Sequence, residues 1–269
     1  MKEVLYHDKK IYYRIYGSGK TVILLHGFGE KGDVWNNQIE YLKEHYKLIV
    51  PDLPGSGKSE MIEDMSIAGM AEVIKSILDS ESSTIPPPGE FRGALIGHSM
   101  GGYISLAFVK KYPEYLDAFG LVHSTAYADS EEKKTVRKKG IEFIKQHGPF
   151  KFLKTTIPNL YSAVFKEAKP AFVEKQIERL KDFTDTALIA YYSAMMERPD
   201  RIEVLKTVRI PVLFIIGEYD YAIPLEESLR QCHLPEKAYI HFLKKSGHMG
   251  MLEEPEKVNR ILDDFLLQP

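Results

Sequence analysis

Residues 94–103 read Ala94-Leu95-Ile96-Gly97-His98-Ser99-Met100-Gly101-Gly102-Tyr103, and this stretch sets the architecture around it. A short apolar run leads into a serine flanked by glycines, and a helical pattern follows over residues 103–111. G-x-S-x-G between a strand and a helix puts the serine hydroxyl on a sharp turn at the strand end. Such a turn leaves no room for side chains at positions 97 and 101. The helix N-terminus adds a field that favours developing negative charge. The pattern alone recurs by chance in a chain with 19 glycines, so its specificity comes from the flanking strand and helix.

Outward from this turn, apolar runs at residues 21–26, 47–51, 118–122 and 211–216, and less purely at 239–243, suit strands buried on both faces of a parallel sheet. Residues 4–6 and 11–16 alternate and read as two short strands joined by the turn His7-Asp8-Lys9-Lys10. Helical patterns lie between most of the runs. Over residues 33–46, Trp35, Ile39 and Leu42 share a face; near the C-terminus Val258, Ile261, Leu262, Phe265 and Leu266 do so, with Pro255 at the helix start. Strands alternating with helices give an α/β fold, a mainly parallel sheet with helices on both faces. From about Thr125 to Lys206 the alternation stops, and the chain reads as a Lys- and Glu-rich helical insertion over one end of the sheet. Pro86-Pro87-Pro88-Gly89 reads as a stiff surface loop.

Composition narrows the function. Of 269 residues, 44% are hydrophobic and 28% charged, which excludes a disordered chain. Lys+Arg 36 against Asp+Glu 38 leaves no basic surplus for nucleic acid or anionic lipid. Cys232 is the single cysteine, so neither a disulfide framework nor a Cys-based zinc site is available. No histidine pair has carboxylate-supported metal spacing, and no metal is expected. The N-terminus lacks a signal-peptide apolar stretch, and the apolar runs are too short to span a bilayer. A soluble, cytoplasmic protein without membrane insertion is the expectation.

A serine hydroxyl needs a base, and the base needs an oriented acid. Among nine histidines, His248 in Ser246-Gly247-His248 follows a strand, at the carboxyl end where sites collect in open α/β sheets. Asp220, in Gly217-Glu218-Tyr219-Asp220, also lies just past a strand. Taken singly, Asp220 reads as a helix cap and His248 as a loop histidine; with the turn they reproduce the order Ser…Asp…His. His26-Gly27-Phe28-Gly29-Glu30 follows another strand and can aim a backbone N–H at a substrate oxygen, with the Met100 N–H as second donor. Phe28 would also put a ring on the pocket wall.

These pieces, with Asp52-Leu53-Pro54-Gly55-Ser56-Gly57-Lys58-Ser59 and Pro224, resemble the α/β-hydrolase superfamily over nearly the whole chain. The resemblance implies an eight-stranded sheet with an antiparallel second strand and a helical cap after the sixth strand. Residues 1–124 and 206–269 would form the core and 125–205 the cap. It implies Ser99 as nucleophile, Asp220 as acid, His248 as base, and Phe28 and Met100 as oxyanion donors. No cofactor is implied, and the expected partner is a small-molecule acyl substrate with an apolar group. The expected activity is a serine hydrolase of carboxylic ester, thioester or related acyl bonds (EC 3.1.1). Carbon–carbon bond hydrolases, cofactor-free perhydrolases and a non-enzymatic small-molecule receptor stay open on the same triad. Serine at position 99, rather than aspartate, argues against the haloalkane dehalogenase and epoxide hydrolase branches.

Other motifs compete. Gly27-Phe28-Gly29-Glu30-Lys31-Gly32 with Asp52 fits a dinucleotide fingerprint, hence an NAD(P)-dependent oxidoreductase, but puts Glu30 where a pyrophosphate would bind. Gly55-Ser56-Gly57-Lys58-Ser59 misses a P-loop because position 52 is aspartate, not glycine. His26 reads as a loop brace, His98 as the variable turn position, His123 as a possible pocket residue, Cys232 and Trp35 as core. Cap residues Phe143, Phe150, Phe152, Tyr161, Phe165, Phe172, Phe183, Tyr191, Tyr192, Met195 and Met196 suggest an apolar pocket over Ser99, against simple packing of the insertion. The basic stretch 133–139 reads as a solvated helix face or a site for an anionic substrate tail or carrier protein.

Overall fold

The computed structural model describes residues 1–81 and 92–268; the proline run at 86–88 lies outside them. Its strands are β1 (Lys2–Tyr6), β2 (Lys9–Tyr16), β3 (Lys20–Leu25), β4 (Tyr46–Pro51), β5 (Ala94–His98), β6 (Ala118–Val122), β7 (Val212–Gly217) and β8 (Ala238–Leu243). They form one sheet of order β1-β2-β4-β3-β5-β6-β7-β8. β2 runs antiparallel to both β1 and β4, and the remaining pairs are parallel. The continuous apolar runs occupy the interior: β5, β6 and β7 are buried along their whole lengths, whereas β8 at the edge is partly exposed.

Two expected boundaries are corrected. The β1–β2 turn is His7-Asp8 alone, with φ of 45° and 63°, because this mirror-image turn matches the strands' right-handed twist. The helical pattern at 33–46 divides into a 3-10 turn at Gly32–Trp35 and α1 (Asn36–Leu42). Tyr46 instead opens β4, pairing with Lys20 of β3.

The other core helices are α2 (Ile67–Glu81), α3 (Met100–Lys111), α10 (Leu225–Gln231), α11 (Gly250–Glu253) and α12 (Pro255–Leu266). α2 packs on α3 and α1 on α12, giving the helix layers that flank the sheet. All five apolar residues picked out for α12 are buried. Burying each contributes about 1.5–3 kcal/mol relative to exposure.

Between β6 and β7 lie α4 (Glu131–His147), α5 (Pro149–Thr156), α6 (Ala163–Ala168), α7 (Pro170–Glu178), α8 (Asp185–Glu197) and α9 (Ile202–Thr207). α4 packs on α5 and α8, while α9 packs on α3 of the core and runs across position 205. Tyr191 of α8 is fully buried and its hydroxyl donates to the Pro54 carbonyl at 2.6 Å, seating the insertion on the loop after β4. Among the described residues no helix is long and apolar enough to cross a membrane.

Candidate active site

Ser99 sits between β5 and α3 with φ +50° and ψ −116°, a conformation non-glycine residues seldom adopt. The surroundings enforce it. A Cβ on Gly97 would lie 2.3 Å from the Gly101 carbonyl oxygen, and one on Gly101 would lie 2.6 Å from that of Leu25. The Ser99 N–H donates to the Val122 carbonyl at 2.9 Å, and the Ser124 hydroxyl donates to the Ser99 carbonyl at 2.8 Å.

The loop after β7 carries Asp220, which is buried. Its Oδ1 accepts from the N–H groups of Ala222 and Ile223, each at 2.9 Å. Its Oδ2 accepts from His248 Nδ1–H at 2.8 Å and from His123 Nδ1–H at 3.2 Å. Burial alone would raise this carboxyl; the facing His248 and the donated bonds hold it well below the usual carboxylate range. For His248, burial pulls the pKa down. The Asp220 charge and hydrogen bond, helped by Glu30 and Glu253, outweigh that and raise it. With Nδ1 committed to Asp220, Nε2 is the nitrogen left for the cavity that His248 lines together with Ser99. That cavity measures about 160 Å³. Among the described residues Ser99 and His248 line this one cavity with no hydrogen bond between their side chains.

Packing against the insertion fixes the His248 loop. The His248 N–H donates to the Leu160 carbonyl at 2.7 Å. A Cβ on Gly247 would meet that same oxygen at 2.7 Å, which explains the glycine before the histidine. Glu253 accepts from Gly247 and Ser162 N–H, each at 2.9 Å, and burial raises its pKa.

Phe28 and Met100 are the residues expected to offer free backbone amides. Met100 opens α3, so its N–H has no acceptor within the helix. Neither amide meets a protein acceptor among the described residues. The Phe28 ring lines the cavity and stacks on Tyr192, centroids 4.4 Å apart.

Sequence reasoning missed the role of His98. It is fully buried, its Nδ1 lies 2.9 Å from Glu30 Oε2, and its Nε2–H donates to the His248 carbonyl at 2.9 Å. The same Glu30 oxygen accepts from Gly27 N–H at 2.6 Å. Burial would raise Glu30, but His98 and the Gly27 amide hold it below its ordinary range. A signal existed: an acid in a loop closing on a strand end must find a partner. His123 is corrected as well. It does not line the cavity; it is buried behind Asp220 with Nε2 accepting from Gly250 N–H at 3.2 Å. That bond requires the neutral ring, and burial takes its pKa down to about 4.

The other readings resolve on contacts. His26 braces its loop as expected: Nδ1–H donates to the Gly27 carbonyl at 2.8 Å, and Nε2 accepts from Leu53 N–H and the Ser56 hydroxyl, each at 2.9 Å. Asp52 is bidentate to Arg14 at 3.0 and 3.1 Å, and Glu30 fills the glycine loop, so neither is free for a dinucleotide. His123, Asp220 and His248 offer ligand atoms within 4.8 Å of one another. Both Nδ1 atoms donate protons to Asp220, so the cluster is satisfied as a hydrogen-bonded trio. Of the cap aromatics and methionines, Tyr192 and Met195 line the cavity, whereas Phe152, Tyr161, Phe183 and Tyr191 are buried in packing.

The family model described as the alpha/beta hydrolase family matches residues 22–261. The chain belongs to the alpha/beta hydrolase family. It is 27% identical to a 2-hydroxy-6-oxononadienedioate/2-hydroxy-6-oxononatrienedioate hydrolase of Paraburkholderia phymatum, over 97% of this chain and 92% of the relative. Among solved structures, an esterase from Thermogutta terrifontis with malate bound matches at TM-score 0.89 and 28% identity, over 97% of this chain and 94% of that one. The enol-lactonase from Burkholderia xenovorans matches at TM-score 0.89 and 18% identity, over 99% and 100%, a likeness of fold. This alpha/beta hydrolase thus has relatives of more than one hydrolytic chemistry.

Proposed function

We propose that this alpha/beta hydrolase is a serine hydrolase that cleaves a carboxylic ester, thioester or related acyl bond (EC 3.1.1) through an acyl-enzyme on Ser99. The observation that carries the reading is Ser99 at φ +50° on the strand–helix turn, sharing a cavity with a histidine whose other nitrogen is fixed on a buried aspartate. His248 Nε2 takes the Ser99 proton as Oγ attacks the carbonyl carbon. The N–H groups of Phe28 and Met100 hold the oxyanion; one such donor typically contributes about 3 kcal/mol to the transition state. Collapse expels the leaving group, which takes its proton from His248. Water, deprotonated by the same imidazole, then releases the acid and restores Ser99. Protein groups and water complete that cycle. Residues 125–205 serve as the cap over Ser99.

Fluorophosphonate labelling read by intact mass tests it: one adduct on the native protein, lost in Ser99→Ala. An adduct that persists in Ser99→Ala overturns the assignment. Carbon–carbon bond hydrolysis on the same triad is the second reading, favoured by the Paraburkholderia phymatum relative. Turnover of a 2-hydroxy-6-oxo-dienoate faster than of simple esters would select it.

A further inference from the structure

The basic run of α4 does not stay together. Lys133 pairs with Glu227 and Lys134 with Glu131, at 2.7 and 2.8 Å, while Lys138 and Lys139 are exposed. Arg137 turns inward. It shares the i, i+4, i+7 face with buried Ile141 and Ile144 and lines the cavity of Ser99 and His248. Its Nε–H donates to Asp129 Oδ2 at 2.5 Å and its Nη2 to Oδ1 at 3.3 Å.

Asp129 serves a second guanidinium. Arg198, buried, donates from Nη1 to Asp129 Oδ1 at 2.7 Å and to the Met195 carbonyl at 2.6 Å, and its guanidinium lies 3.9 Å over the Tyr103 ring. Among the described residues neither arginine pairs with another carboxylate. One buried negative charge therefore faces two positive ones, and a positive charge is left over at the cavity wall. Burying an uncompensated charge is costly, so the site is built to gain an anion. Arg137 has the donors to receive it, since Nη1 meets no protein acceptor among the described residues. The rings of Tyr103 and Tyr192 line the same cavity, the latter 5.4 Å from the Arg137 guanidinium. Glu30, the acid on the cavity wall, is already committed to His98 and Gly27.

We propose that Arg137 is the docking point for an anionic group, a carboxylate, carried by the substrate whose acyl bond Ser99 attacks. The inference rests on the serine-hydrolase reading and adds its substrate class: short esters that bear a free carboxylate. A guanidinium fork matches a planar carboxylate, which a lysine ammonium does not. The cavity of about 160 Å³ suits a short chain.

The test compares monomethyl succinate with methyl 4-oxopentanoate, in which a methyl ketone replaces the carboxylate, by pH-stat. The native enzyme is expected to favour the anion by about tenfold or more in kcat/KM, a ratio typical of one charge-assisted contact. Arg137→Gln is expected to lower that ratio at least tenfold, chiefly through KM, while Lys139→Gln on the solvent side of α4 leaves it unchanged. Equal losses on both esters in a folded Arg137→Gln would make Arg137 a brace for Asp129 and overturn the proposal. Should Arg137→Gln not fold, the native enzyme decides alone: succinate is expected to inhibit turnover of the neutral ester competitively, and succinamide is not. Equal inhibition, or no anionic preference, overturns the proposal. If Ser99 takes the fluorophosphonate yet no anion is preferred, this inference alone falls. If Ser99 takes no label, the hydrolase reading beneath it falls.

Discussion

Two buried histidine–carboxylate pairs stand side by side in this protein and do different work. In Asp220–His248 the ring gives Nδ1–H to the acid and keeps Nε2 for the cavity. In Glu30–His98 both nitrogens are taken, one by Glu30 and the other by the His248 carbonyl. Since a carbonyl only accepts, His98 Nε2 must carry its hydrogen, and a single further proton lies between Nδ1 and Oε2. The ring of that pair has no lone pair to offer a substrate. It ties the loop after β3, the Ser99 turn and the His248 loop into one unit. The chemistry of the side chains is the same; what the second nitrogen meets separates the proposed base from a strut. His123 gives a third outcome, a neutral ring that donates to Asp220 from Nδ1 and accepts from Gly250 N–H at Nε2.

Breaking the base pair should cost most. Ser99→Ala and His248→Ala are each expected to lower kcat on the order of 10⁵-fold, and the double variant scarcely further, because the residues act as a unit. Additive losses would deny the pairing. Asp220→Asn should follow, at roughly 10⁴-fold, by presenting an N–H to Nδ1 and turning the imidazole to the wrong tautomer. The Asp220 charge raises the His248 pKa, and the neutral ring is the form that would act as the proposed base. Its removal should therefore move the acid limb of the kcat/KM profile to lower pH.

Disturbing the strut should cost less in rate and more in stability. Both Glu30 bonds land on one oxygen, so Glu30→Gln satisfies Gly27 or neutral His98, not both. We expect a loss of about 1–3 kcal/mol, a Tm lower by roughly 5 °C, and kcat down about tenfold. A variant as stable as the native protein would remove the strut from the comparison. The smallest effect belongs to His123→Asn, asparagine being chosen because position 123 has φ +49°. A histidine whose folded pKa is about 4 adds stability that is lost as pH falls from about 6.5 toward 4. The variant's Tm should fall less steeply across that window, and an identical slope would contradict the neutral-ring assignment.

The sheet was legible because its interior strands are uninterrupted apolar runs, and Ser99, Asp220 and His248 stood out as candidates because each lies in the turn or loop that follows a strand. What stayed hidden depends on long-range pairing. Glu30 and His98 are 68 positions apart, and His123 and Asp220 are 97 apart; no local pattern joins them. The His7-Asp8 turn was overestimated because Lys9 and Lys10 look like turn residues yet pair with Tyr6 and Leu5 at the sheet edge. Arg137 was readable in principle. Its spacing to Ile141 and Ile144 puts it on the buried stripe of α4, but five basic residues within residues 133–139 draw attention to charge rather than to phase.

The bond from the His248 amide to Leu160, with the Glu253 bridge to Ser162, carries a consequence for turnover. The roof of the chamber and the proposed base beneath it share the same fastening. Any swing that lifts Leu160 away withdraws the support of the imidazole, so an open chamber is a disarmed one. Exchange of small molecules must then pass through side-chain movement at the mouth, or alternate in time with chemistry.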